Sequence, residues 1–359
     1  MRFTFGSVVG AGAALVSLAA CSTGGSQVSP AAGQGTQSHA RAAAGALVRT
    51  QPISLDYPAS LRGIVPVENR AALTFVDPAT VKAQIDVSQY AGSTSDPGGV
   101  NEYAANNSKN KAPFCALSNL LGVNAIETDS SGNLWVPNVT SSNDNVVVEY
   151  APDCGSAGTT LTDTNGQPVD IAFASNGIIY VSDILGNGSE AGDISVFPKG
   201  ATEPSSKLTN PKVFFSLGVA VDTKGNVYQS YLGSSGSSGG GVLEFKGGKG
   251  SGSVLKGIKL SEPGTVFVGE NNNIIVPDQN AITLDTYAPP YTKLTSSFSL
   301  KGLSIQCSLN KAETLAACAD RANDSVDVYT YPAGKYEYSF TNGLSSQLST
   351  IGIAQDPRY

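Results

Sequence analysis

Gly218-Val219-Ala220-Val221-Asp222-Thr223-Lys224-Gly225-Asn226-Val227-Tyr228 reads as strand, tight turn, strand. Small and apolar residues alternate up to Asp222, and the second apolar run opens after Asn226. Between them Gly225 takes a backbone position with positive φ, which glycine adopts without a Cβ clash. The same grammar recurs along the chain. Gly132-Asn133-Leu134-Trp135-Val136-Pro137-Asn138, Asn176-Gly177-Ile178-Ile179-Tyr180-Val181-Ser182-Asp183 and Asn272-Asn273-Ile274-Ile275-Val276-Pro277-Asp278 repeat the turn and second strand. Before them stand Ala125–Asp129, Asp170–Phe173 and Thr265–Val268. A third strand ending on an aromatic residue follows each copy, as in Val146–Tyr150, Ile194–Phe197, Val242–Phe245 and Ile282–Tyr287. A fifth, degenerate copy runs through Leu315–Asp320 and Ser325–Tyr329.

The position of Asn138 falls next at Asp183, Tyr231, Asp278 and Asp320, at spacings of 45, 48, 47 and 42 residues. Periods of this length with several strands each are the signature of propeller blades. Near the start, Leu73-Thr74-Phe75-Val76-Asp77 matches a second strand and Ala83–Tyr90 a third, with no first strand ahead of them. Near the end, Ile351–Asp356 matches a first strand with nothing after it. Pairing the two ends in one shared blade removes the open sheet edges of a partial ring. The expected fold is all-β, a six-bladed β-propeller closed by its N- and C-terminal strands.

The repeat pattern, with Gly-Val-Ala-Val-Asp-x-x-Gly-Asn-Val-Tyr at 218–228 and Gly-Val-Leu-Glu-Phe at 241–245, resembles the NHL-repeat family. It also resembles the related six-bladed propellers that include gluconolactonase-like enzymes and streptogramin lyases. The resemblance spans about residues 72–356 and implies fold rather than activity. Gluconolactonase-like propellers hold a divalent ion with a Glu, an Asn and an Asp at the channel mouth. Here Asn138 and an Asp are on offer, but no glutamate holds an equivalent blade position. Streptogramin lyases depend on histidines. The chain has one histidine, His39, well before the repeats. That also excludes Ser-His-Asp and Cys-His catalysis and His-ligated zinc from the repeat region. Gly236-Ser237-Ser238-Gly239-Gly240 matches a nucleophile elbow only formally, inside low-complexity sequence.

Asp77, Asn138, Asp183, Tyr231, Asp278 and Asp320 all follow the second strand of their blades, so they are the candidate channel-mouth ligand or metal positions. Five of the six offer hard oxygen, which suits Ca²⁺. The alternative is that these side chains satisfy backbone donors of the following turn. No other cofactor is indicated. Tyr287-Ala288-Pro289-Pro290-Tyr291 is either an aromatic patch for a glycan or peptide or an ordinary blade-edge turn.

The first 20 residues carry one charge, Arg2, and an apolar run from Val8 to Ala20, too short for a spanning helix. Leu18-Ala19-Ala20-Cys21 resembles the lipobox of bacterial lipoproteins, which implies cleavage before Cys21 and lipidation of its sulfur. Ser22 is not the Asp that resembles an inner-membrane retention signal, which favours the outer membrane or outer surface. Residues 21–71 form a Ser/Gly/Ala-rich tether and irregular lead-in, whose flexible part reaches on the order of 30 Å. The propeller occupies 72–359. After removal of residues 1–20 the chain keeps 21 of its 22 basic residues and all 29 acidic ones, a formal charge of −8. With no basic cluster it is no nucleic-acid binder.

Four cysteines remain beyond Cys21, an even number that fits an oxidising compartment. They allow three pairings. Cys307 and Cys318 flank a hairpin turn around Asn310–Glu313 and can face each other, which leaves Cys115 with Cys154. Four reduced thiols are the competing state. The expected function is therefore an exported, lipid-anchored binding or scaffolding module at the cell envelope, its ligand a protein, a glycan or a small molecule. The alternative is a metal-dependent hydrolase or lactonase using the channel-mouth carboxylates; the sequence inclines against an enzyme.

Overall fold

The computed structural model describes residues 84–355, apart from 91–97, 121, 140–144, 187–189, 234–238 and 347. Six four-stranded antiparallel sheets make six blades. Blade 1 orders β24 (Ser349–Gln355), β1 (Gln84–Tyr90), β2 (Gly98–Ala104) and β3 (Cys115–Leu120) from the inside out. Blade 2 comprises β4 (Glu127–Thr128), β5 (Leu134–Val139), β6 (Asn145–Tyr150) and β7 (Ala157–Thr162). Blade 3 comprises β8 (Gly166–Phe173), β9 (Ile179–Gly186), β10 (Ala191–Phe197) and β11 (Ser206–Leu208). Blade 4 runs β12 (Val213–Val221), β13 (Val227–Gly233), β14 (Gly240–Phe245) and β15 (Ser253–Val254). Blade 5 runs β16 (Phe267–Val268), β17 (Ile274–Asp278), β18 (Thr283–Tyr287) and β19 (Ser296–Ser299). Blade 6 runs β20 (Ser304–Leu309), β21 (Leu315–Asp320), β22 (Ser325–Thr330) and β23 (Tyr336–Phe340). Helix is confined, among the described residues, to one 3-10 turn at Lys246–Gly248, and no helix there is long and apolar enough to cross a membrane.

The shared blade closes the ring as the sequence suggests, with one correction. Gln84–Tyr90 is its second strand, not its third, and Gly98–Ala104 is the third. The equivalent of Asn138 in this blade is consequently Gln89, which pairs with Thr350 as Tyr231 pairs with Ser216. Asp77 and the Leu73–Asp77 match lie outside the described residues, as do Cys21, the tether and the serine-rich loop around Ser237. The misplacement has a physical cause. All seven residues of β1 are buried, including Gln84, Asp86, Ser88 and Gln89, so its apolar alternation does not reveal its rank in the sheet.

The hairpins that decide the fold are built alike. Gly132, at φ 81°, gives its amide to Asp129 O at 2.9 Å, and Gly225, at φ 80°, gives its amide to Asp222 O at 3.0 Å. Asp129 Oδ1 accepts the amides of Ser131 and Asn133 at 2.8 and 3.0 Å, while Oδ2 accepts Trp135 Nε1 at 3.1 Å. Asp222 repeats this with Lys224, Asn226 and the Tyr228 hydroxyl, at 2.8, 2.8 and 3.1 Å. One aspartate thus caps the turn and clamps the aromatic residue of the next strand, which explains the Asp-x-x-Gly-Asn-x-aromatic spacing.

Burial follows the ring. Instead of one central core, six apolar clusters fill the seams between neighbouring blades. Tyr103 and Val87 of blade 1 meet Val326 and Phe340 of blade 6, and Trp135 and Leu161 of blade 2 meet Ile171 and Phe197 of blade 3. Each such side chain contributes about 1.5–3 kcal/mol on leaving water. Hydrogen bonds cross the same seams at one repeated place. Ser88 Oγ donates to Asn124 O at 2.6 Å, Ser182 Oγ lies 2.6 Å from Ser216 Oγ, and Ser230 Oγ donates to Gly264 O at 2.7 Å. Each of these serines immediately precedes the candidate position of its blade and ties its second strand to the next blade.

Both disulfides form in the pairing the sequence favours. Cys307 and Cys318 are direct cross-strand partners with Cα atoms 4.1 Å apart. Cys115 and Cys154, 6.0 Å apart at Cα, join blade 1 to blade 2. Beside the second bridge the buried Glu102 carboxylate accepts the Cys154 amide at 2.9 and 3.0 Å.

Candidate functional site

Strand direction places two distinct regions at opposite ends of the central channel. At the end of the β4–β5 and β12–β13 hairpins the channel widens into a funnel of about 830 Å³. At the other end, where the second strands finish, lie the six positions singled out by spacing.

The funnel is floored by side chains that sequence reasoning did not single out. Gln306 of β20 accepts the amides of Ile126 and Ile353 on Oε1, at 3.1 and 2.8 Å, and returns Nε2 to Ile126 O at 2.8 Å. One buried amide thereby bridges blades 6, 1 and 2 across the axis. Asp170 of β8 holds the neighbouring inner strand, its Oδ2 accepting the Val219 amide at 2.9 Å. Burial pushes the Asp170 carboxyl well above its usual range, and the nearby Glu127 charge adds to the effect, against the Val219 hydrogen bond. Glu127 itself is pushed up to about 7 by burial, with the Thr128 amide pulling the other way. Trp135, Phe173 and Val268 line the wall above them. A signal for Asp170 existed in the sequence: it stands opposite Ser182 where Gly218 stands opposite Ser230 and Gly352 opposite Ser88. A carboxylate there is out of keeping with the repeat.

At the opposite end the candidate positions are mostly engaged in their own loops. Asp278 Oδ2 accepts the Ser261 amide at 2.6 Å, and its Oδ1 accepts Glu262 and Ala281 amides at 3.1 and 3.2 Å. Asp320 accepts the Ala322 and Asn323 amides at 2.8 and 3.1 Å and the Asn323 side chain at 2.7 Å. Tyr231 packs with Val227 and Phe245 in the seam of blades 3 and 4. Asn138 is registered opposite Val146 in the β5–β6 pair. Glu262, beside Asp278, is pushed up to about 7 by burial and by that neighbour, while Arg321 pulls it down. Asp183 is different. It accepts Ser195 Oγ at 2.9 Å and faces Asp193 directly across the β9–β10 pair. Asp278 and Asp320 therefore take the turn-capping role rather than a free ligand role.

Tyr291 is buried, packed edge-on to Tyr228 and donating to Asn272 O at 2.7 Å, so Tyr287–Tyr291 is a blade-edge turn and not an aromatic patch.

No family model and no curated protein matches this sequence. Among solved structures, a chain of a nidogen/laminin complex is similar at a TM-score of 0.60 and 13% identity, over 76% of this chain and 98% of that one. A protein of unknown function from Bacteroides caccae is similar at 0.56 and 13%, over the same 76% and 98%. At that identity the likeness shows the fold alone.

Proposed function

We propose that this chain is an exported, lipid-anchored propeller that serves as a binding or scaffolding module at the cell envelope. The observation that carries the reading is the funnel. Its volume of about 830 Å³ falls within the range of sites for small ligands or the tip of a larger partner. An aromatic wall, the buried Asp170 carboxyl and the half-buried Glu127 offer shape and polarity for recognition. Cys21 after the short apolar leader supports the anchor, and two disulfides support an oxidising compartment. The nidogen/laminin structure adds that a propeller of this shape occurs in a protein–protein complex. The hydrolase reading loses ground because Asp278 and Asp320 are committed to backbone amides.

The test is a glycan and peptide array probed with labelled chain carrying Cys21→Ala. Saturable binding that disappears when Ser308→Tyr fills the funnel, and weakens at least tenfold in Glu127→Gln, supports the site. Binding indifferent to both substitutions, or no saturable binding, rejects it.

A further inference from the structure

We propose that reduction of the Cys115–Cys154 bridge opens a zinc site, formed by the two thiolates and the Glu102 carboxylate at the seam of blades 1 and 2. Among the described residues, these form the one trio of cysteine, histidine or carboxylate side chains with ligand atoms all within 4.8 Å of one another. Cys115 lies on β3, the outermost strand of blade 1, and Glu102 is its direct cross-strand partner on β2. Cys154 comes from the turn after β6 of blade 2. The trio sits at the outer rim, and none of the three lines the funnel.

The carboxylate is in place before any metal arrives. Glu102 is fully buried, and its Oε2 lies 3.2 Å from Cys115 Sγ. The Cys154 amide donates to Oε1 and Oε2 at 2.9 and 3.0 Å, and Gln84 Nε2 donates to Oε2 at 3.0 Å. A disulfide sulfur has no proton to donate, so its contact with Oε2 sets acceptor against acceptor. The same contact becomes favourable once a metal ion stands between the two atoms.

Tetrahedral zinc holds sulfur at about 2.3 Å and carboxylate oxygen at about 2.1 Å, which puts sulfur about 3.6 Å from oxygen and about 3.8 Å from the second sulfur. The Cys115–Glu102 contact is already near the first separation. The second needs the sulfurs to swing apart, which side chains with Cα atoms 6.0 Å apart allow by rotation about χ1. Both cysteines are half-buried, leaving an entry path and a fourth position for water. Two thiolates and one carboxylate favour zinc over calcium or magnesium. The Gln84 and Cys154 donors spread the negative charge that remains.

The redox step balances with a phosphine as reductant. The phosphine takes the oxygen of one water, its two electrons break the S–S bond, and the two protons of that water go to the sulfurs. A thiol reductant does the same by exchange and ends as its own disulfide. Zinc then displaces both thiol protons into solvent. Bridge or ion, blades 1 and 2 stay clasped at the same place.

The chain carrying Cys21→Ala is reduced with a phosphine until mass mapping shows Cys115 and Cys154 free. Zinc is then titrated against a chromophoric chelator, with cobalt as a spectroscopic probe. One zinc per reduced chain, none in the oxidised chain, and a thiolate-to-cobalt charge-transfer band are expected. Calorimetry at pH 7 should show about two protons released per ion, and zinc should raise the melting temperature of the reduced chain. Glu102→Gln should weaken zinc binding at least tenfold, and Cys154→Ser at least a hundredfold. Should Glu102→Gln fail to fold, Glu102→Asp, which draws the carboxylate back by one methylene, is read in its place. No binding by the reduced chain at micromolar zinc, equal binding by the oxidised chain, or an affinity unmoved by the Glu102 or Cys154 variants overturns the proposal.

Discussion

Gly352 donates its amide to Ser88 Oγ at 2.8 Å, joining residues 264 positions apart and locking the innermost strand of blade 1 to the second. The same hydroxyl donates onward to Asn124 O at 2.6 Å, so one serine ties both chain ends to the start of blade 2. Val87 and Ile353 pair beside it in the seam with blade 6. The funnel floor depends on this seam, because Gln306 reaches Ile353 and Ile126 only in a closed ring.

Stability should fall as the pH rises through the acid range. The Glu127 carboxyl sits at about 7 in the folded chain against 4.5 in an exposed one. Between those values the folded state holds a proton that the unfolded state has lost, so the Glu127 contribution to folding declines from about pH 4.5 to about pH 7 and is level beyond. The contribution is on the order of 2–3 kcal/mol. Urea unfolding at pH 5 and pH 8 should show it, and Glu127→Gln should flatten that part of the profile. An unchanged slope in the variant would contradict the raised Glu127 carboxyl on the funnel floor.

The two disulfides should respond differently to reductant. Cys307 and Cys318 are 2 and 0% exposed, whereas Cys115 and Cys154 are half-buried at the seam of blades 1 and 2. Mild dithiothreitol should open Cys115–Cys154 first, as read by alkylation and mass mapping. Loop closure over 39 and 11 residues predicts losses of about 4 and about 3 kcal/mol when each pair is replaced by alanines. Equal rates of reduction would count against these burials.

Much of the fold is legible in the sequence because its turns are chemically local. Asp222, Gly225, Asn226 and Tyr228 carry one hydrogen-bonded device within seven residues, and Asp129 to Trp135 repeat it. The outermost strands are not legible. β7 is exposed at five of its six positions, so no apolar pattern marks it. The third strand of blade 1 begins Gly98-Gly99, which breaks alternation, and its place is fixed by pairing with β1 and β3. For the site, spacing found equivalent positions but not their roles. Asp278 and Asp320 cap turns, Tyr231 packs, and Asp183 has the carboxylate of Asp193 as its direct cross-strand partner. Glu127, Asp170 and Gln306 come together through the ring, which no local pattern encodes.

Anchoring is tested at Cys21. Cys21→Ala should abolish lipid labelling and detergent-phase partitioning, since the 21–71 segment has no apolar stretch to replace acyl chains. A variant that still partitions with membranes would refute the lipobox.

Lactone and ester turnover should stay at the uncatalysed background with added Ca²⁺, Zn²⁺ or Mn²⁺. Metal-dependent turnover that collapses in a folded Asp278→Asn variant would restore the hydrolase reading.

The most direct measurement is the melting transition of the mature chain without residues 350–359. That deletion removes most of β24, including the buried Ile351, Ile353 and Ala354, and leaves β1 as an unpaired inner edge. Net stability of a domain is only about 5–15 kcal/mol, and loss of a buried inner strand exceeds what it can absorb. The expected result is no cooperative transition, or one lowered by more than about ten degrees. A truncated chain that melts at the wild-type temperature would contradict the closed ring, and the funnel with it.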